Sequence, residues 1–110
     1  AHYGLDNLTA IVDRNHLSYD GDTEKVMGVD SLEDKLSSFG WHVSRCDGHS
    51  TYELLKAFRD TCTGRPHIIV AETVKGKGVS FIENRPEWHH HRLSQEEYDR
   101  ARREVLGEGL

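Results

Sequence analysis

The longest uninterrupted apolar run in this 110-residue chain is Ile68-Ile69-Val70-Ala71, within residues 67–74. The run shows no alternation of apolar and polar residues, which is typical of a strand covered on both faces of a parallel sheet. A strand of that kind needs other strands beside it and helices over it. The remainder of the chain is therefore expected to supply both.

Two further strands and three helices are predicted around this run. Residues 8–12 form a short apolar run that indicates a buried strand, and the alternation over residues 41–46 indicates another. Helices are predicted over residues 30–39, from residue 50 or 51 to about 61, and from 94 to about 106. Strands that alternate with helices predict an α/β fold, here a partial parallel sheet flanked by helices with right-handed crossovers.

Local signals set the expected helix ends and inward faces. Ser31 is a candidate N-cap with Asp34 three residues later, and Gly40 is placed to end that helix. Ser94 and Glu97 have the spacing of a capping box for the last helix. Apolar residues at helical spacing predict the inward faces of the first two helices, which are Leu32, Leu36, Phe39, Leu54, Leu55 and Phe58.

Composition excludes several classes of protein. Fourteen basic against nineteen acidic residues give a net charge of −5, which argues against a nucleic-acid-binding protein. No run approaches the roughly 18 apolar residues that cross a bilayer, so no membrane association is expected. The first residues also lack the basic start and apolar core of a signal peptide. Cys46 and Cys62 form no CxxC pair and favour reduced thiols in a cytoplasmic protein, with a disulfide as the alternative.

Polar loops follow two of the predicted strands, where parallel sheets bind their ligands. The amide oxygen of Asn15 suits Mg²⁺ or Ca²⁺, although a polar turn is the competing interpretation. In the glycine-rich loop of residues 75–78, backbone N–H groups can approach an anion, and Lys75 or Lys77 can neutralise phosphate charge. A flexible turn explains that loop equally well.

The run His89-His90-His91 is the third polar feature. Contiguous side chains splay to different sides, and the run lacks the spaced ligands of a zinc site such as HExxH. The sequence therefore favours one functional histidine with two surface neighbours.

Several short motifs follow one another along the chain. They are Leu5-Asp6-Asn7-Leu8, Ile11-Val12-Asp13-Arg14-Asn15, Asp20-Gly21, Phe39-Gly40-Trp41-His42-Val43, Asp47-Gly48-His49, Thr73-Val74-Lys75-Gly76-Lys77-Gly78-Val79-Ser80-Phe81 and Glu83-Asn84-Arg85-Pro86-Glu87-Trp88-His89. Together they resemble the thiamine-diphosphate-binding region of transketolases, and in particular the separate N-terminal subunit of split, two-gene transketolases. The resemblance covers essentially the whole chain.

The resemblance implies a thiamine-diphosphate-binding fold and a set of site residues. Asn15 matches a side-chain ligand of Mg²⁺, and Leu17 matches the residue whose backbone carbonyl is a further ligand. His89 matches a catalytic histidine that contacts the diphosphate and the reacting centre, with His90 as the register alternative. The matched cofactor-binding positions are Leu17, Tyr19, Lys75, Gly76 and His89.

The chain also departs from the family pattern. The Gly-Asp-Gly element that precedes the metal-binding asparagine is absent, as is the pyrimidine-binding domain with its activating glutamate. Residues 1–110 are therefore expected to be the C-terminal part of a thiamine-diphosphate domain in a heteromer, active only with complementary chains that supply those parts.

The implied reaction is transfer of a two-carbon ketol unit between sugar phosphates. The alternatives are a related ketol-transferring synthase and a non-catalytic or regulatory transketolase-like subunit.

Overall fold

The computed structural model describes residues 1–107 as two compact units. The sheet unit comprises Ala1–Asn15 and Gly28–Thr73, and the loop unit comprises His16–Met27 with residues 74–107. In chain order the strands and helices are β1 (Thr9–Arg14), β2 (Leu17–Ser18), β3 (Gly21–Asp22), α1 (Thr23–Val26), α2 (Leu32–Ser38), β4 (His42–Asp47), α3 (Thr51–Arg59), β5 (His67–Glu72) and α4 (Gln95–Leu106).

The sheet unit contains the predicted parallel sheet, with strand order β1-β5-β4. Thr9 and His42 both lie opposite His67, so the three strands begin in register. At the other end, Arg14 and Asp47 both lie opposite Glu72. The α/β fold class and the parallel pairing predicted from the alternating pattern are therefore confirmed.

The core of the sheet unit forms around β5, which is buried from His67 to Ala71. Helix α3 packs against β4 and β5. Between helix and sheet, Ile69 and Ala71 of β5 contact Cys46 of β4 and Ala57 of α3. The continuous apolar run forms a strand because both of its faces are shielded from water, as the sequence predicts.

Strand β1 differs from the prediction of a buried strand. Its residues alternate between exposed and half-buried, and Ile11 is 53% exposed. The physical reason is its position, because β1 pairs only with β5 among the described strands and forms one edge of the sheet.

Helices α2 and α3 begin and end near the predicted residues. Ser50 caps α3 by accepting from the Glu53 amide, whereas the Ser31 hydroxyl at the start of α2 donates to the Asp34 carboxylate and caps no amide. The predicted inward faces are wrong in part, because α2 packs mainly on β4 and α3 mainly on β4 and β5, which leaves part of each apolar face exposed. The side chains that are exposed instead are Phe39 at 75%, Leu55 at 52% and Phe58 at 45%.

The loop unit combines a two-stranded hairpin, β2 with β3, and two helical segments near the end of the chain. Helix α4 has the predicted capping box between Ser94 and Glu97, and Gly107 ends it in the left-handed conformation. Residues 79–91, for which no helix or strand is predicted, include a short 3₁₀ helix over Pro86–His89. Pro86 begins this turn because its fixed φ suits the first helical position.

Among residues 1–107, no helix combines the length and the apolar character that a membrane crossing requires.

Candidate functional site

Asn15 directly follows β1, at the carboxyl end of the parallel sheet, and is half-buried. The two residues before it are held by side-chain contacts. The Thr73 hydroxyl donates to the Asp13 carboxylate, and the Arg14 guanidinium contacts Asp30 at 2.5 Å. These contacts fix the end of the strand, so the chain leaves the sheet at Asn15 with a defined direction.

A close contact at the end of β4 explains the Asp47-Gly48-His49 motif. The Gly48 amide donates to the Glu72 carbonyl at 2.7 Å. A Cβ at Gly48 would lie 2.5 Å from Thr73 Cγ2 and 3.0 Å from that carbonyl oxygen. Only glycine lets the chain pass this close to the end of β5, a requirement that the motif alone does not reveal.

The β2–β3 hairpin of the loop unit positions Leu17 and Tyr19. His16 adopts a positive φ of 58°, and its carbonyl accepts from the Thr23 amide at 3.0 Å. Leu17 then pairs with Asp22 and is half-buried. Tyr19 consequently lies at the tip of the hairpin, where its side chain is exposed.

The ring of Tyr19 contacts two of the three consecutive histidines. Its centroid lies 6.1 Å from that of His89, in an edge-on arrangement, and 6.0 Å from that of His90. His91 instead packs 4.2 Å from Trp88. The run therefore splays as expected for contiguous side chains, and two predicted site residues, Tyr19 and His89, come together.

The glycine-rich loop closes on itself within the loop unit. The Lys75 carbonyl accepts from the Asn84 amide at 2.8 Å. Gly76 has a φ of +70°, and a Cβ there would lie 2.5 Å from Ile82 Cγ2. Glycine is therefore required at position 76 by both its backbone conformation and its neighbour.

The far end of this loop is tied to helix α4. The Glu104 carboxylate accepts from the Ser80 amide and hydroxyl, and Arg100 contacts the same carboxylate at 3.0 Å. The Ser80 amide is the main cause that lowers the pKa of Glu104 below its usual value. The loop is thus held at both ends, which restricts the positions that Lys75 and Gly76 can take.

A cleft of about 440 Å³ lies beside the hairpin tip and is lined by Tyr19, Asp20, Pro86, Glu87 and His90. The two carboxylates make it a poor environment for a bare anion. Sequence reasoning did not place Asp20 and Glu87 together, because no motif spacing links residues so far apart in the chain.

Comparison with known proteins matches residues 1–108 to the family described as "Transketolase, thiamine diphosphate binding domain". The chain belongs to the transketolase family. It is 43% identical over 105 residues to an apulose-4-phosphate transketolase subunit of Phocaeicola vulgatus, covering 94% of this chain and 37% of that protein. It is 39% identical over 107 residues to the 6-deoxy-6-sulfo-D-fructose transketolase subunit SqwG of a Clostridium species, covering 96% and 39%.

Solved transketolase structures have the same fold. The enzyme from Campylobacter jejuni aligns with a TM-score of 0.85 at 26% identity, over 96% of this chain and 16% of that one. The chain thus spans well under half of the transketolase relatives and structures that it resembles. The matched family is described as a thiamine-diphosphate-binding domain, which is the class of domain that the sequence motifs predict.

Proposed function

We propose that this chain is the C-terminal portion of the thiamine-diphosphate-binding part of a split, heteromeric transketolase that depends on Mg²⁺. The observation that carries the proposal is that most of the predicted cofactor-binding residues belong to the loop unit. Leu17 and Tyr19 come from one end of the chain, Lys75 and His89 from the other, and all belong to this one compact unit. The contact between the Tyr19 and His89 rings joins the two segments directly.

Asn15 and Leu17 carry donor atoms of the kind that Mg²⁺ prefers. The Asn15 side chain offers a neutral amide oxygen, and the Leu17 backbone offers a carbonyl oxygen two residues later. Mg²⁺ binds oxygen, keeps few protein ligands and takes the others from phosphate and water. On the family resemblance, we assign Asn15 and Leu17 as the two residues of this chain that would bind the ion.

The glycine-rich loop fits a diphosphate group. Lys75 supplies a positive charge. Gly76, at a φ of +70°, allows the tight backbone turn that follows it. The position a Cβ would occupy at Gly78 is open, with no atom within 4 Å, so an anion can approach the backbone there.

His89 is the better candidate than His90 for a contact with the diphosphate. His90 lines the cleft that also contains Asp20 and Glu87, whose negative charges oppose an anion. The Tyr19 ring lies close to both imidazoles and restricts the rotation of both, so the acidic cleft decides between them. A restricted imidazole N–H can donate to an anionic oxygen at little entropic cost.

Thiamine diphosphate, when bound, supplies the nucleophilic carbon and the electron sink for transfer of a two-carbon ketol unit between sugar phosphates. The chain's own contribution is binding and orientation. Asn15 and Leu17 would hold the metal, Lys75 would neutralise charge, and His89 would donate a hydrogen bond at the diphosphate and the reacting centre.

The exposed apolar surface of the sheet unit indicates that a complementary polypeptide covers it. Strand β1 has one unpaired edge among the described strands, and Ile11 on it is 53% exposed. Before it, Tyr3, Leu5 and Leu8 are 83%, 46% and 43% exposed. Such an edge is usually covered in a native protein. We propose that the polypeptide that supplies the Gly-Asp-Gly element covers this edge. A complementary chain would also supply the pyrimidine-binding domain.

Two further features agree with the proposed split enzyme and its location. The relatives named above are called subunits, which agrees with a split enzyme. Cys46 and Cys62 are free thiols, which agrees with an enzyme of the cytoplasm.

The proposal is tested by exchanging Asn15 for alanine in the full-length, assembled protein. Asn15→Ala is expected to weaken Mg²⁺ and thiamine diphosphate binding together, because the diphosphate is held through the metal. Calorimetric titration of thiamine diphosphate with and without Mg²⁺ measures both effects. Asn7→Ala, an exposed turn position of the same unit, is the matched control.

Two results would contradict the proposal. Unchanged cofactor affinity in Asn15→Ala would remove the asparagine from the metal site. Failure of the assembled wild-type protein to bind thiamine diphosphate and transfer a ketol unit would instead favour a non-catalytic, regulatory subunit.

A further inference from the structure

A second polar cluster lies at the amino end of the parallel sheet, where β4 and β5 begin. His42 and His67 are the first residues of these strands and are partners in the register, so both side chains project from the same face. Asp60 immediately follows α3, the helix that packs on that face, and therefore lies at the same end. The sequence does not predict this cluster, because His42 and Asp60 are 18 positions apart and Asp60 and His67 are 7 positions apart.

The polar atoms of the cluster converge. His42 Nε2 lies 3.1 Å from Asp60 Oδ1, and the Ser44 hydroxyl donates to Asp60 Oδ2 at 2.6 Å. Ser44 Oγ is also 2.9 Å from His67 Nε2. One ligand atom from each of His42, Asp60 and His67 lies within 4.8 Å of the other two.

Hydrogen bonds alone do not satisfy this cluster. The Ser44 hydroxyl has one hydrogen, which it donates to Asp60. His67 is 1% exposed, and its buried Nδ1 makes no hydrogen bond within residues 1–107. His42 Nε2 is likewise buried and lacks hydrogen-bond geometry toward Asp60 despite the short distance. Such unpaired polar atoms are uncommon in native interiors.

We propose that His42, Asp60 and His67 bind a divalent transition-metal ion, with Zn²⁺ as the expected ion. Two imidazoles and one carboxylate form a ligand set that Zn²⁺ accepts, with a fourth position left for water. Ligands about 2.1 Å from a tetrahedral ion lie about 3.4 Å apart, close to the separation of His42 Nε2 and Asp60 Oδ1.

The surroundings suit a metal site that stabilises the fold. The Ser44 hydroxyl engages Asp60 Oδ2, which leaves Oδ1 directed toward the ion, as outer hydrogen bonds do in other metal sites. The Asp60 side chain is 55% exposed and lies at a helix end, so it can move the remaining distance and admit the ion from solvent. Bound metal would join the starts of β4 and β5 to the end of α3.

The test is a Zn²⁺ titration of the full-length protein, followed by calorimetry, in buffer containing excess Mg²⁺ and no thiamine diphosphate. Mg²⁺ prefers oxygen ligands and does not compete for imidazoles. Loss of a residue that only orients a ligand weakens metal binding by about 10- to 100-fold. Asp60 is itself a proposed ligand, so Asp60→Ala is expected to weaken the tightest Zn²⁺ binding by at least about 100-fold. The Asp60 side chain is half exposed, so its removal leaves no large cavity in the core. His67→Asn gives the same expected loss.

The control is His2→Asn, an exposed histidine of the same unit outside the cluster, which should leave Zn²⁺ affinity unchanged. Zn²⁺ should also raise the thermal unfolding temperature of the wild type but not of Asp60→Ala, because only a ligand of the folded state stabilises it. Equal Zn²⁺ affinity in wild type and Asp60→Ala, or no Zn²⁺ stabilisation of the wild type, would overturn the proposal. The outcome does not depend on the Asn15 experiment, because the readout needs neither cofactor nor activity.

Discussion

The ring of Tyr19 packs edge-on against the ring of His89, with their centroids 6.1 Å apart and their planes at 81°. The two residues are 70 positions apart, and the β2–β3 hairpin and the 3₁₀ helix Pro86–His89 present them to each other. An exposed histidine would otherwise sample several rotamers. This contact holds the imidazole in place before any ligand binds.

Removal of the Tyr19 ring should therefore weaken cofactor binding. Tyr19→Ala is expected to lower the affinity of the full-length, assembled protein for thiamine diphosphate by about 2- to 10-fold, since an aromatic pair contributes about 0.5–1.5 kcal/mol. Tyr19→Phe keeps the ring and should bind as the wild type does. Calorimetric titration distinguishes the two, and a Phe variant as weak as the Ala variant would assign the effect to the hydroxyl.

His89 and His90 should differ in their effect on catalysis. His89→Asn is expected to lower kcat/KM of the assembled enzyme by about 10- to 100-fold, the loss expected when a hydrogen bond to a charged group is removed. His90→Asn is the matched variant and should change little, because His90 lies beside Asp20 and Glu87. Steady-state kinetics of ketol transfer measure both, and a larger loss in His90→Asn would reverse the assignment.

Gly48 should be essential for the end of the sheet. Gly48→Ala is expected to lower the free energy of unfolding by about 1–3 kcal/mol, because the new methyl group would overlap Thr73 Cγ2. Combining it with Thr73→Ser removes that methyl group and should restore part of the loss, while the Glu72 carbonyl remains at 3.0 Å. Urea unfolding of the full-length protein gives the comparison. A Gly48→Ala protein as stable as the wild type would show that the strand ends are free to separate.

The contact between Glu104 and Ser80 should depend on pH. The pKa of Glu104 lies below its ordinary value of 4.5 in the folded protein, mainly because the Ser80 amide donates to the carboxylate. The contact is therefore fully formed above pH 4.5 and is lost as the pH falls through the lower, folded-state pKa.

The amide proton shift of Ser80, followed by NMR from about pH 7 downward, should report this loss. Its inflection is expected below pH 4.5 and should be absent in Glu104→Gln, which cannot titrate. An inflection at or above pH 4.5 would contradict a stabilised carboxylate.

Much of the fold follows from local pattern. The unbroken apolar run predicts β5, and the Ser94–Glu97 spacing predicts the start of α4, because continuous burial and helix capping each depend on a few neighbouring residues. The same kind of pattern predicts that Phe39 and Phe58 face inward, yet both are exposed. Helical spacing identifies an apolar face, but the extent of the sheet beneath decides how much of that face is covered.

The candidate site divides in the same way. The sequence by itself determined the α/β class and the family resemblance, and it predicted the candidate positions Asn15, Leu17, Tyr19, Lys75, Gly76 and His89, because each lies in or beside a short motif. Only the tertiary structure decided that Tyr19 meets His89, that Gly48 must pass beside Thr73, and that His42, Asp60 and His67 converge. Those relationships join residues from separate segments, and strand register and chain crossings determine them, which no local spacing encodes.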